Sequence, residues 1–328
     1  MNLVTGGGGF IGSHLVQALL AKGEEVRVLD LPNTNLEHLP LDQIEVVRAD
    51  IRDRSAVDGA TKDCQRVYHL AADPNLWRRN TSEFDEINHK GALNVLHSAL
   101  DNGASRVIHT STESILASSH SEAGAVENLE LHESEMIGPY CLSKFRADQA
   151  ALQLGKDGAP VIVVCPTLPV GPGDRGLTPP TRMALAFCRG ELPAYLDCRF
   201  NLIDVRDVAE GMILAMDKGE PGIRYLLGYE NYLLGDWLQL LGENINKNKP
   251  GFTVPYGLAL SVAWFSEYWA RYVTGKMPMA TVTGVKLTQR SMHFDPSSSL
   301  SALGLEPRPV KESASDIVGW FQAEGMLS

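Results

Sequence analysis

The stretch Val4-Thr5-Gly6-Gly7-Gly8-Gly9-Phe10-Ile11-Gly12 lies between a short apolar run (residues 2–5) and a segment with apolar residues three and four apart (residues 11–22). A strand that turns through glycines into a helix builds a cradle for a pyrophosphate. Gly6 permits the tight turn, Gly9 lets the backbone approach the anion, and Gly12 allows the helix to pack closely on the strand. Phe10 and Ile11 stand at the helix N-terminus that faces the negative charge. A glycine run alone is equally a flexible turn, so its context matters. A second apolar run ends in Asp30, at about the spacing of twenty residues that a dinucleotide-binding unit requires. Asp30 is suited to accept hydrogen bonds from both adenosine ribose hydroxyls and to repel a 2′-phosphate. Leu31 and Pro32 follow it, so no cation sits beside it in sequence. NAD is therefore expected rather than NADP, the alternative being a strand-end Asp that only makes a turn.

Outward from this unit, apolar runs at 25–30, 44–50, 66–71, 106–112 and 161–166 alternate with helix-period stretches at 87–102 and 140–154. Fully apolar strands alternating with helices predict a parallel sheet covered on both faces. The expected fold is thus α/β, a Rossmann-type doubly wound sheet with its ligand beyond the carboxyl ends of the strands. After Pro166 the texture changes: 170–180 is rich in Gly and Pro, and a run at 200–205 leads into a helix from Val208. Residues 1–168 are expected to form the NAD-binding domain. Residues 169–328 are expected to form a smaller C-terminal substrate lobe, with some segments returning to the Rossmann sheet.

The 328 residues suffice for a substantial core, and a formal net charge of −11 speaks against a nucleic-acid partner. Five cysteines are scattered without C-x-x-C spacing, which fits reduced thiols and neither a disulfide framework nor a metal site. The first strand starts at the first residue, leaving no room for a signal peptide, so a cytoplasmic location is expected. No segment reaches the roughly 18 apolar residues of a membrane span.

Tyr140-Cys141-Leu142-Ser143-Lys144 puts a phenol and an ammonium four residues apart on one helix face. Hydride chemistry at an alcohol needs a proton acceptor, and a nearby Lys⁺ is expected to lower the phenol pKa and to bind the nicotinamide ribose. The plainer reading is an amphipathic helix with one aromatic and one solvated lysine. The run at 106–112 adds weight, because it ends in Thr110-Ser111-Thr112, whose hydroxyls emerge at the ligand-bearing edge and can orient a substrate oxygen.

With these motifs the sequence resembles an extended short-chain dehydrogenase/reductase of the NAD-dependent epimerase/dehydratase type. Thr5 to Gly12 match the family's T-G-x-x-G-F-x-G, Asp30 its strand-end acid, and Asp50-Ile51 its adenine-side pair. His69-Leu70-Ala71-Ala72 match its H-x-A-A strand, and Asn88 an Asn on the next helix. Tyr140 and Lys144 match its catalytic pair and Thr112 its catalytic Ser/Thr. The segments 202–209 and 303–307 resemble two further family stretches. The likeness is greatest to hopanoid-associated sugar epimerases and dihydroflavonol-reductase-like members. It implies that Thr112, Tyr140 and Lys144 are catalytic, and that Leu70, Ala71, Ala72, Asn88, Ser111 and Pro166 join the glycines, Asp30, Asp50 and Ile51 around NAD. It also implies a homodimer paired through helices of the Rossmann domain.

Two departures bear on the substrate. Nucleotide-sugar members usually carry Arg where this chain has Cys165, and sugar dehydratases follow the catalytic Thr with Asp-Glu where this chain has Glu113-Ser114. Glu113 is either a substrate contact or a charged residue at a loop start. Asp73, Trp77, Arg182 and Arg199 are the other candidate substrate contacts. Residues 258–273 read as a helix crowded with Trp264, Phe265, Tyr268, Trp269 and Tyr272. Core packing of the small lobe is the plainer reading. The other is an apolar lid or weak membrane-touching patch suited to a lipid-like or aromatic substrate. The expected function is NAD-linked hydride transfer at a secondary alcohol or ketone with Tyr140 as acid/base. The alternatives are a nucleotide-sugar epimerase with no net redox change, and a catalytically silent dinucleotide sensor.

Overall fold

The structure, a computed structural model, describes residues 1–117, 132–290 and 292–327. Its strands are β1 (Asn2–Thr5), β2 (Val26–Asp30), β3 (Ile44–Arg48), β4 (Arg66–His69), β5 (Arg106–Thr110), β6 (Val161–Pro166), β7 (Leu168–Val170), β8 (Arg199–Asp204), β9 (Arg224–Leu227) and β10 (Glu230–Leu233). Seven form one sheet in the order β3-β2-β1-β4-β5-β6-β9, with every neighbouring pair parallel. The order reverses between β1 and β4, and there a crevice opens beyond the carboxyl ends of the strands. A second sheet, β10-β8-β7, pairs β8 antiparallel to β10 and parallel to β7.

The helices on and around the large sheet are α1 (Phe10–Ala21), α2 (Arg54–Thr61), α3 (Ser82–Phe84), α4 (Ala92–Asp101) and α5 (Gly138–Lys156). A π-helical stretch, Asp85–Gly91, joins α3 to α4 without a break. Then come α6 (Pro179–Arg189), α7 (Val205–Lys218), α8 (Leu234–Glu243), α9 (Tyr256–Trp269), α10 (Val282–Leu287), α11 (Ser297–Leu303) and α12 (Val310–Ala323). A second π-helical stretch, Ala270–Thr274, extends α9. The apolar pattern gave no sign of α2. Its start is fixed by Asp53, whose carboxylate accepts the Ala56 N–H at 3.2 Å.

Strand alternation divides the core into two layers. Leu3, Val67, Val107 and Val163 point to the α2, α4 and α5 side, where they meet Val95, Leu96 and Phe145. Val4, Tyr68, Ile108 and Val164 point to the other side and meet Leu15 and Val16 of α1 with Met212, Ile213 and Met216 of α7. A third cluster holds the small lobe, with Phe187, Leu202, Trp237, Leu238, Ile317 and Phe321 at its centre. β9 and α7, which follow residue 169 in the chain, belong to the large sheet and its cover.

The runs read at 44–50, 66–71 and 106–112 outlast their strands by two residues each. Residues 49–50, 70–71 and 111–112 lie past the last paired position, where the chain turns out of the sheet. Their backbones are still tied at its rim: Leu70 N–H donates to the Thr5 carbonyl at 3.2 Å and Ser111 N–H to that of Val164 at 2.7 Å. Side chains freed from sheet alternation at this edge can face a ligand.

Among the described residues, one ion pair has both partners buried. Asp148 of α5 is completely buried and accepts from Arg224 of β9, with Nε–Oδ1 at 3.1 Å and a second contact from Nη2. Asp148→Ala strips the buried guanidinium of its carboxylate. The expected loss is about 3–5 kcal/mol, measurable as a shift in the denaturant midpoint with an unchanged slope.

Candidate active site

The glycine turn is held from both directions. Gly6 has a φ of +72°, and a Cβ on it would stand 2.9 Å from the Ala71 backbone. A Cβ on Gly12 would stand 2.2 Å from the Gly6 carbonyl oxygen. Only glycine permits β1, α1 and the end of β4 to converge this closely. Below the turn, the Thr5 hydroxyl accepts the N–H groups of Leu70 and Ala71, both at 3.2 Å, and lies 2.8 Å from His69 Nδ1. Having accepted twice, the hydroxyl donates its proton to His69. That imidazole is neutral, because burial and the nearby Lys144 charge push its pKa down to about 3.

Gly9 precedes α1 without a side chain to cap the first turn, so the N–H groups at Phe10, Ile11 and Gly12 face the crevice uncapped by any side chain. Asp30, buried at the end of β2, accepts from Gly8 N–H at 2.9 Å, Leu31 N–H at 2.8 Å and Thr34 Oγ1 at 2.7 Å. The sequence showed no cation beside Asp30, but the fold supplies one. Arg48 sits opposite it in the β2–β3 register and donates to the carbonyls of Leu31 (3.3 Å) and Thr34 (2.5 Å). Asp50 is half-buried and paired with Arg52 at 2.6 Å, while Ile51 is buried against Gly91. Asn88 does not present a free amide. Its Oδ1 accepts Asp73 N–H at 2.7 Å, and its Nδ2 donates to the Asp73 carbonyl and to Ser143 Oγ. It braces the loop after β4 against α5, next to Lys144.

At the carboxyl end of β5 the remaining groups meet. Tyr140 stands near the start of α5, its ring edge-on to Phe84, and Thr112 is close enough to oppose the rise in its phenol pKa. Thr112 Oγ1 contacts Glu113 Oε2 at 3.0 Å and Ser114 Oγ at 2.9 Å. Lys144 is buried and donates from Nζ to the Thr110 carbonyl at 2.7 Å, and burial lowers its pKa to about 8. Ser111 Oγ, Thr110 Oγ1 and Thr167 Oγ1 (the last just after Pro166) are buried polar atoms without a protein partner. Orphaned hydroxyls beside an uncapped helix start and a Cβ-free turn fit a dinucleotide laid across the sheet.

The expectation that Lys144 draws the phenol down does not match this geometry. Burial first, then the Glu113 carboxylate, hold Tyr140 above the usual phenol range, and the opposing hydrogen bond comes from Thr112. Lys144 points instead at the β5 backbone. Glu113 itself is forced up to about 7 by burial, against the pull of its Thr112 hydrogen bond.

The candidate substrate contacts separate. Asp73 is spent on Arg78 (2.5 Å) and Asn75 (2.6 Å). Trp77 is buried with its indole N–H unpartnered. Arg182 and Arg199 stay exposed on α6 and at the start of β8. Arg206 is held by Asp204 and Asp316. Cations that sequence reasoning missed lie elsewhere: Lys286 and Arg290 line a cavity of about 470 Å³ beside Ile137 and Gly138. Nothing in the local sequence marks them. The packing of Thr283 against Gly138, with Leu76 against Gly284, brings α10 beside the start of α5.

Fold and site together define a dinucleotide-dependent enzyme built on a Rossmann-type sheet. The chain belongs to the NAD-dependent epimerase/dehydratase family, whose model matches residues 2–228, and NAD is its cofactor. Over 331 residues it is 35% identical to a Synechocystis sp. protein with the provisional name dihydroflavonol 4-reductase, covering 99% of this chain and 95% of that one. It is 29% identical to the sterol demethylase protein B of Methylococcus capsulatus, with 99% of both chains covered. The crystal structure of gox2253 superposes with a TM-score of 0.87 at 32% identity, covering 100% of this chain and 99% of that one.

Two outcomes follow. Asp30→Ala should narrow the preference for NAD over NADP by about tenfold, as read by titration of both cofactors. Glu113, with its pKa raised from 4.5 to about 7, favours the folded state while protonated. Its own contribution to stability, read as the difference between the parent and Glu113→Gln, is expected to fall as pH rises from 4.5 to about 7, by about 3 kcal/mol, and then to stay level. Glu113→Gln should accordingly give a higher Tm than the parent at pH 8 and no gain at pH 4.

Proposed function

We propose that this protein interconverts a secondary alcohol and a ketone on an apolar, ring-bearing substrate. The observation that carries the reading is the Tyr140 phenol, whose ionisation Thr112 favours from the rim of β5, where Ser111 Oγ is buried without a hydrogen-bond partner among the described residues. A hydroxyl and a phenol converging on one point can hold one substrate oxygen and move its proton. NAD, when bound, accepts or returns the hydride at the substrate carbon.

In the oxidising direction Tyr140 Oη takes the proton of the substrate hydroxyl, and in the reducing direction it returns it. Thr112 Oγ1 orients that oxygen. Lys144, anchored on the Thr110 carbonyl, would hold the ribose of the bound dinucleotide. Protonation of Glu113 removes a carboxylate whose charge opposes ionisation of Tyr140.

The substrate class rests on polarity. Cys165 fills the usual arginine position, is completely buried, and has its thiol pushed up to about 12. Arg206 is occupied by two carboxylates. A diphosphate would need paired donors to offset its desolvation. The names of two relatives, a dihydroflavonol reductase and a sterol demethylase protein, point to polycyclic substrates. Lys286 and Arg290 at the mouth are the features that favour the competing epimerase reading.

The test is a thermal-shift and turnover panel with NAD or NADH, setting sterol-like and flavonoid-like alcohols and ketones against UDP and UDP-sugars. Net NADH consumption or formation with the apolar set is expected. Stabilisation by UDP-sugars alone, with no net redox change, would put the epimerase first. Tyr140→Phe should lower kcat by about a hundredfold or more with cofactor affinity kept, whereas Lys144→Ala should weaken both. Equal, mild losses in both variants would remove the pair from the chemistry.

A further inference from the structure

The segment 256–279 inverts the usual arrangement of a surface helix. On α9 and its π-helical extension the buried positions are Ala263 and Ala270, both small. The large side chains face outward: Trp264 is 65% exposed, Phe265 60% and Tyr272 68%, with Tyr268 and Trp269 about half exposed. The core packing expected from the sequence is therefore not what these rings do. At about 100° per residue they cover roughly two-fifths of the helix circumference. They stack on one another along it, Trp264 on Tyr268 at 6.0 Å and Phe265 on Trp269 at 6.2 Å, so the surface is continuous. The loop that follows adds Met277 and Met279, the latter 86% exposed. Between loop and helix lies an apolar groove of about 730 Å³, with Phe265 and Trp269 on one wall and Met277 and Met279 on the other.

Charge is distributed unlike the rest of the chain. The whole protein is strongly acidic at −11, yet residues 256–290 hold Arg271, Lys276, Lys286 and Arg290 against one acid, Glu267. That acid is turned inward, accepting the Val282 N–H at 2.7 Å. Tryptophan and tyrosine beside exposed cations suit the boundary between lipid headgroups and acyl chains. The same segment reaches the site. Thr283 packs on Gly138, two residues before Tyr140, and Leu76 approaches Gly284. No helix among the described residues is long and apolar enough to cross a membrane.

We infer that the aromatic face of residues 256–279 docks on an anionic phospholipid bilayer, lying in its interface and setting the mouth of the active site against the lipid. The docking does not rest on the catalytic reading, and its test reads binding alone.

The full-length protein is sedimented with vesicles of phosphatidylcholine and with vesicles of equimolar phosphatidylcholine and phosphatidylglycerol. Binding to the anionic vesicles is expected, weakened by salt, with a blue shift in tryptophan emission. Phe265→Ser with Trp269→Ser should reduce partitioning by about tenfold or more. Arg271→Glu with Lys276→Glu should reduce it on anionic vesicles only. Both variants should keep the parent's NAD affinity and unfolding midpoint, which separates lost docking from lost folding. Absence of binding at low salt overturns the inference, as does binding that neither variant alters. A wild-type dimer made monomeric by the serine pair, without vesicle binding, overturns it in favour of a second copy of this chain.

Discussion

The architecture turns on one close approach. β1, the loop after β4 and the first turn of α1 meet where no side chain fits: a Cβ on Gly12 would stand only 2.2 Å from the Gly6 carbonyl oxygen. That contact aims the α1 N-terminus at the crevice where the strand order reverses. The Thr5 hydroxyl then ties the end of β4 to the same point, accepting two N–H groups and donating to a neutral His69. Widening this junction by one methyl group would separate the uncapped helix start from the strand ends that carry the remaining groups.

A second constraint is the cost of burying charge beside that junction. Lys144 and the His69–His109 pair lie buried together, with the two rings 5.4 Å apart, and Glu113 lies beside Tyr140 and Thr112. Each group yields toward its neutral form: the histidines are pushed down, the lysine to about 8 and the glutamate up to about 7. Tyr140 is held neutral by the same burial. Of these groups Glu113 and Lys144 stand near the midpoint between charged and neutral, a condition suited to moving a proton, while the histidines and Tyr140 are held neutral. Sequence spacing suggested a simpler scheme, a lysine lowering a tyrosine, because spacing carries no information about desolvation or about the Thr110 carbonyl that claims the ammonium.

The small lobe shows how far chemistry at a surface can depart from the pattern in a sequence. An apolar helix rich in aromatics reads as core, since burial is the commonest fate of such residues. Here the alanines supply the packing surface and the rings are left outside. Whether a helix of this composition turns inward is decided by the space its neighbours leave. The segment 256–290 packs against Gly138 and Leu76 through small residues, which leaves no cavity for the rings.

By itself the sequence determined the doubly wound sheet and NAD as the cofactor, and it supplied the glycine turn and the Tyr140–Lys144–Thr112 set from which the proposed chemistry is built. Those features rest on local rules: strand and helix periods, glycine where a Cβ would collide, and a four-residue helical repeat. The tertiary structure decided what depends on residues far apart in the chain. Arg48 comes to stand opposite Asp30 only through strand register, and Asn88 is consumed as a brace because α5 packs over the loop after β4. Glu113 is raised because neighbouring elements exclude water from it. Lys286 and Arg290 come beside the start of α5 through the packing of Thr283 against Gly138 and of Leu76 against Gly284. Distance in space, and with it solvation and charge, is fixed by packing between elements, and no spacing along the chain encodes it.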